Sequence, residues 1–163
     1  MKYKKLGILK NFIPSLIMMI IIFFMSSQSK EASLESSSSI INIFKNIFPF
    51  LENIIGDNII NFLVRKSAHI IEFLVLFLSL YYGFNKYFKD RNKLLKPIVY
   101  SSIITFLYSC TDEIHQKFIL GRDGKFSDIL VDFIGVIIGS LIIYLYRKGK
   151  EKNKKLIYKK YSY

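Results

Sequence analysis

Apolar residues along this chain gather into four runs, separated by short polar or basic blocks. The first covers residues 12–25, the second 67–84, the third 94–111 and the fourth 129–146. A helix rises 1.5 Å per residue, so about 20 residues cross a hydrocarbon layer of roughly 30 Å. Each run approaches that length. The pattern predicts an all-α, polytopic membrane protein with four transmembrane helices. Four such runs in 163 residues leave too little polar surface for a water-soluble core.

Between the first two runs lies a segment of two parts. Residues 26–39 are rich in Ser and Glu and read as an exposed loop. Residues 40–64 carry Asn42, Lys45, Asn46, Glu52, Asn53, Asp57, Asn58 and Asn61 among apolar positions at helical spacing. Pro49 and Gly56 interrupt them. This predicts one or two amphipathic helices lying on the outer membrane surface, with a re-entrant segment as the alternative.

Charge then orients the spans. Residues 1–11 carry a net +4, 85–96 a net +4 and 147–163 a net +7, whereas 26–66 are neutral and 112–128 carry −1. Basic and near-neutral blocks alternate in four-span register. Lys and Arg near span ends stay on the cytoplasmic side. The expected location is therefore the cell membrane, with N- and C-termini cytoplasmic. Residues 1–146 form a single membrane domain, and 147–163 a basic cytoplasmic tail suited to anionic inner-leaflet lipid. Nucleic acid is not an expected partner, because the basic residues are split among three short tethered blocks. The first run has a signal-peptide-like basic start, but no small-residue cleavage pattern follows, so it reads as a retained span. Cys110, the single cysteine, reads as a small apolar helix residue.

The remaining polar residues carry the chemistry. Arg65, His69 and Glu72 recur at i, i+4 and i+7 and share one helical face. By helix rise, His69 lies about 6 Å and Glu72 about 10.5 Å deeper than Arg65. A carboxylate at that depth must face protein rather than lipid. Asp112, Glu113, His115 and Gln116 end the third run, and Gly121 and Gly124 mark a turn that carries Arg122. Asp128 precedes the fourth run as a candidate helix cap, and Asp132 lies one turn deeper. Gly135 and Gly139 have the spacing that lets helices approach closely. Topology derived from Lys and Arg counts brings all these groups to one outer zone. A purely structural polar network is the plainer account of them. The functional account gives His69, Glu72, Asp112 and His115 acid–base roles. It gives Arg65, Glu113, Gln116, Arg122, Asp128 and Asp132 substrate contacts, the arginines gripping a phosphate or carboxylate. No cofactor and no metal are expected; two histidines and several carboxylates could supply ligands, but the DEIHQ stretch lacks the H-E-x-x-H spacing of a metalloprotease.

RKSAHIIEF, TDEIHQKFILGRDGKFSD and VDFIGVIIG, with the SSQS trailing the first run, resemble the VanZ-like membrane proteins over about residues 8–146. The resemblance implies that Lys66, His69, Glu72, Asp112, Glu113, His115, Gln116, Gly121, Arg122, Asp128, Asp132 and Gly135 are the family's motif positions. Leu120 stands where many relatives have Pro, and Asp132 where Asn is common. The family is associated with resistance to the glycopeptide teicoplanin. Together these features suggest a membrane enzyme that hydrolyses or transfers a lipid or lipid-linked envelope intermediate at the extracytoplasmic face. A non-enzymatic binding or scaffold protein that modulates envelope or antibiotic access is the alternative, and a solute or proton pathway ranks third. Association into a homo-oligomer stays open.

Overall fold

The computed structural model describes residues 9–88 and 95–160. The basic residues Lys2, Lys4, Lys5, Lys89, Arg91 and Lys93, used above to orient the spans, lie outside the described residues. A 3₁₀ turn at Lys10–Phe12 leads into α1 (Ile13–Ser26), followed by α2 (Lys30–Ile47), α3 (Pro49–Tyr87), α4 (Leu95–Gln116) and α5 (Phe126–Lys160). Among the described residues, all regular structure is helical. Two stretches, Gly56–Tyr87 and Phe126–Lys154, are long and apolar enough to cross a membrane, and Lys10–Ser26 with Lys30–Ile47 makes a third if that pair, bent by 111°, counts as one span. The chain is thus a multi-pass membrane protein with two or three long apolar helical spans. At 22 residues, α4 is about 33 Å long.

Of the segment 26–39 expected as an exposed loop, residues 30–39 are instead the first half of α2. Ser29 starts it: its hydroxyl accepts a hydrogen bond from the Ala32 amide at 3.2 Å, satisfying a donor the first turn leaves open. The hydroxyls of Ser36 and Ser37 donate to carbonyls four residues back, both at 2.8 Å. Serine clusters favour loops because their side chains compete for backbone partners, but here they bond within the helix. Residues 40–64 divide at the predicted breakers. Pro49 opens α3, and Gly56 (φ 72°) puts a kink inside it. A Lys45–Asp57 ion pair of 2.7 Å ties the end of α2 to α3.

The longest helix, α3, packs against each of the other four, most extensively against α5. Its buried Phe73, Leu76, Phe77 and Leu80 follow i, i+3, i+4, i+7 spacing. Phe73, Leu76 and Leu80 meet Ile22 of α1, and Phe77 meets Val136 and Ile143 of α5. The Tyr108 hydroxyl donates to the Met19 carbonyl at 2.5 Å, fastening α4 to α1.

Helix α4 is inside out. Its buried positions are Pro97, Ser101, Thr105, Ser109, Asp112, Glu113 and Gln116, while Val99, Ile103, Phe106, Leu107 and Ile114 are exposed. In water this arrangement would be unfavourable. In hydrocarbon it is what helix association requires, since lipid solvates the apolar face and small polar residues permit close packing.

Gly135 and Gly139 lie where α5 meets α3. A Cβ at Gly135 would come within 2.5 Å of the Ile70 carbonyl oxygen and 2.8 Å of the Leu74 amide nitrogen. Backbone cannot yield as a side-chain tip can. We therefore expect Gly135→Ala to force α3 and α5 apart and to destabilise the protein by about 1–3 kcal/mol. Gly149→Ala has nothing within 4 Å and should be neutral or slightly stabilising through helix propensity. Thermal unfolding in detergent, followed by circular dichroism, checks the contrast.

Candidate functional site

The polar residues collect at one end of the bundle, where α4 ends and α5 begins. Successive turns finish α4: the amides of Phe118 and Ile119 donate to the carbonyls of His115 and Gln116, both at 3.0 Å, and that of Arg122 to Ile119 at 3.1 Å. Gly121 (φ 74°) and Gly124 (φ 53°) turn the chain back. A Cβ at Gly124 would collide with the Glu113 carbonyl, so only glycine lets the loop lie against the end of α4. Helix α5 then begins at Phe126, two residues earlier than the expected cap at Asp128. Asp128 lies within the first turn, and its carboxylate is 2.6 Å from the Lys66 ammonium. A negative charge there still favours the helix dipole.

Helices α2, α3 and α5, the last residue of α4 and the 117–125 loop line a half-open cavity of about 440 Å³. Arg65, His69, Gln116, Arg122 and Asp128 of the expected site line it, together with the motif residue Lys66. Lys30 lines it too. That residue was not among the expected site residues, because the Ser-rich segment carried no sign of where it would fold. The Lys30 amide donates to the Leu120 carbonyl at 3.4 Å, which holds the start of α2 against the loop. Arg122 is partly buried, and its Nη2 donates to the Met25 carbonyl at 3.4 Å. Burial, and next the nearby Arg65 charge, lower the pKa of Arg122 from its usual value. A guanidinium nevertheless stays cationic at neutral pH.

His69 is the ionisable residue that joins the cavity to the interior. Its Nδ1 stands 3.5 Å from Asp132 Oδ1, and Asp132 is 1% exposed. That separation is an ion-pair contact, longer than the usual hydrogen bond. Nδ1 is buried, and His69 is among the residues that line the cavity. The Ser109 hydroxyl donates to the other Asp132 oxygen at 2.6 Å. Ser109 was another residue that sequence reasoning missed: a lone serine in an apolar run does not announce its partner. A chain Ser109–Asp132–His69 thus runs from α4 through α5 to α3 and ends at the cavity.

Glu72, Asp112, Glu113 and Asp132 do not line the cavity and are set back from it. Gln116 donates to Asp112 at 2.8 Å, the i, i+4 pair visible in the sequence. Glu113 is 3% exposed, and neither of its carboxylate oxygens has a hydrogen-bond partner among the described residues. Among the described residues, no three His, Cys, Asp or Glu side chains converge as a metal ion requires.

His115 points elsewhere. Its ring stacks on Phe23 at 4.6 Å between centroids, and its Nε2 is 3.0 Å from the Ser27 hydroxyl oxygen. That hydroxyl already donates its one hydrogen to the Phe23 carbonyl at 2.7 Å. The imidazole must therefore donate from Nε2 to Ser27. His115 joins α4 to α1 and does not line the cavity.

Removing the Ser109 hydroxyl would leave one oxygen of a buried carboxylate without its donor. We expect Ser109→Ala to cost about 1.5–3 kcal/mol, the range for hydrogen bonds to charged groups. Ser101→Ala removes only a bond to the Pro97 carbonyl of the same helix and should cost less. Thermal midpoints of the two variants in one detergent decide this.

The sequence matches no curated protein and no solved structure. It does match the VanZ/LLP1 family over residues 12–147, which include all the motif positions and the turn between α4 and α5. The chain belongs to the VanZ/LLP1 family.

Proposed function

We propose that the chain is a four-span protein of the cell membrane with both termini in the cytoplasm. On this reading its polar end faces outward and acts on the head group of a lipid or lipid-linked envelope intermediate. The reaction is an acid–base hydrolysis or transfer. One observation carries the proposal: a cavity lined by Arg65, Lys66 and Arg122 is reached by an imidazole with a buried carboxylate behind it. The cations draw in an anionic group, and Nε2 of His69 takes up or delivers a proton at the reacting atom. Asp132 fixes the ring and balances its charge as it protonates, while Ser109 fixes Asp132. Glu72 and Asp112 contribute negative potential from behind His69. Gln116 borders the head group and Asp128 positions Lys66. Glu113 acts at one remove, through the end of α4 that it helps to bury. His115 is a positioning residue that clamps α1 to α4. The basic tail meets anionic lipid on the opposite side. Consumption or masking of an envelope intermediate in this way would alter teicoplanin sensitivity.

Two measurements test this reading. In a Cys110→Ser background, cysteine introduced at Lys117 should react with a membrane-impermeant maleimide on intact cells. Labelling only after the cells are broken would reverse the topology. In cells expressing the chain, envelope lipids and teicoplanin sensitivity should both change. His69→Gln should remove both changes, with activity reduced about 10²–10⁴-fold, while insertion and thermal stability are retained. A fully effective His69→Gln protein alongside an ineffective Arg122→Gln protein would replace catalysis by simple binding.

A further inference from the structure

The charges around the cavity do not balance pair by pair. Lys66 is matched by Asp128 at 2.6 Å, and Lys125 by Asp123 at 3.5 Å. Those are the two aspartates of the lining. Three lining cations remain: Lys30 from the start of α2, Arg65 from α3 and Arg122 from the loop. Among the described residues, none of the three has a carboxylate within the 4.0 Å of an ion pair. Arg122 also has a buried Nε without a partner. Arg65 is near enough to disfavour its charge. Two guanidinium groups held together repel, and an anion shared between them turns that repulsion into attraction. Glu72, Asp112 and Glu113 attract Arg122 from a distance, but they are set back from the cavity and leave its donors open.

An apolar border accompanies these cations. Phe62 lines the cavity with its ring 5.6 Å from the Lys66 ammonium, and Val131 lines it as well. On the loop that carries Arg122, Phe118 and Leu120 are each 82% exposed, and Phe126 just after it is 72% exposed. Large apolar side chains so displayed beside a polar cavity suit an acyl or prenyl chain at the membrane surface.

We propose that Lys30, Arg65 and Arg122 form a binding site for a phosphate group bearing two or more negative charges, a phosphomonoester or a diphosphate, presented by a lipid. This sharpens the reading above and rests on the cavity receiving an anionic head group. Charge number makes the choice. A phosphomonoester carries about −1.5 to −2 at neutral pH, whereas a phosphodiester head such as phosphatidylglycerol carries one negative charge and leaves two of the three cations unmatched. A free phosphate offers the same charge without the chain, so the test must separate the two sources.

The full chain, purified in a neutral detergent, is titrated with phosphatidic acid, with phosphatidylglycerol and with inorganic pyrophosphate, and bound ligand is counted by native mass spectrometry. Phosphatidic acid should bind about tenfold tighter than phosphatidylglycerol, and pyrophosphate should compete only weakly. Lys30→Gln and Arg122→Gln should each lose that preference. Lys30→Arg should keep it, as should Lys117→Gln, which removes a charge from the same loop but not from the cavity. Equal binding of the two lipids, or equal losses in Lys30→Gln and Lys117→Gln, overturns the site. Tight pyrophosphate binding with no phosphatidic acid bound overturns the lipid source. Should Arg122→Gln fail to fold, the exposed Lys30 carries the test alone. An unaltered His69→Gln phenotype with the lipid preference intact would remove the acid–base chemistry and leave this site standing. An inactive His69→Gln protein without any lipid preference would do the opposite.

Discussion

Asp132 lies nearly two turns inside α5, in a run that otherwise belongs in hydrocarbon, and the polar side of α4 lets it stay there. A carboxylate facing lipid costs several kcal/mol. The Ser109 hydroxyl and the His69 ring give its two oxygens polar neighbours instead. That requirement fixes how three helices meet. Helix α4 must turn its hydroxyl-bearing side inward, so its apolar side faces out. Helix α5 must come close to α3, and Gly135 permits that by presenting no side chain to the Ile70 carbonyl. The packing of the bundle and the position of the imidazole are consequences of one buried charge.

Much of this was legible in the chain. The apolar runs mark the helices, Pro49 and Gly56 mark where α3 starts and kinks, and Gly121 and Gly124 mark the turn. The collection of polar residues at one end followed from alternation of charge along the sequence. What the sequence left hidden has physical causes. A serine cluster serves equally as a loop or as a helix whose hydroxyls bond back, and the choice fell to Ser29 as a cap and to contacts with the 117–125 loop. That choice also placed Lys30, which no local pattern could have placed. Ser109 was hidden because one hydroxyl in an apolar run is too common to signal a partner 23 residues away.

The two histidines show where helical spacing stops being informative. Asp112 and His115, three residues apart, stand on the same side of α4, yet they are roughly 60° apart around its axis. On α4 that is enough for Asp112 to be buried with Gln116 while His115 reaches Phe23 and Ser27. Spacing brings two residues to one side of a helix but does not choose between two neighbouring helices. His69 escapes the ambiguity because Asp132, on another helix, stands opposite it.

Seen from the cavity inward, the charges form two layers: at the lining lie the cations, His69 and two aspartates paired with Lys66 and Lys125, and behind them Glu72, Asp112, Glu113 and Asp132. The order matters for the proposed chemistry. With unpaired carboxylates at the lining, an incoming phosphate would be repelled before it reached a donor. Buried cations would pair with the carboxylates and leave the imidazole without a negative neighbour. In the order found, each lining aspartate is held by a lysine and three cations remain for an anion, while Asp132 stands behind His69, set back from the lining. Attraction of substrate and retention of a proton have opposite electrostatic requirements. Separating them along one axis, across the thickness of a single imidazole, lets one small site meet both.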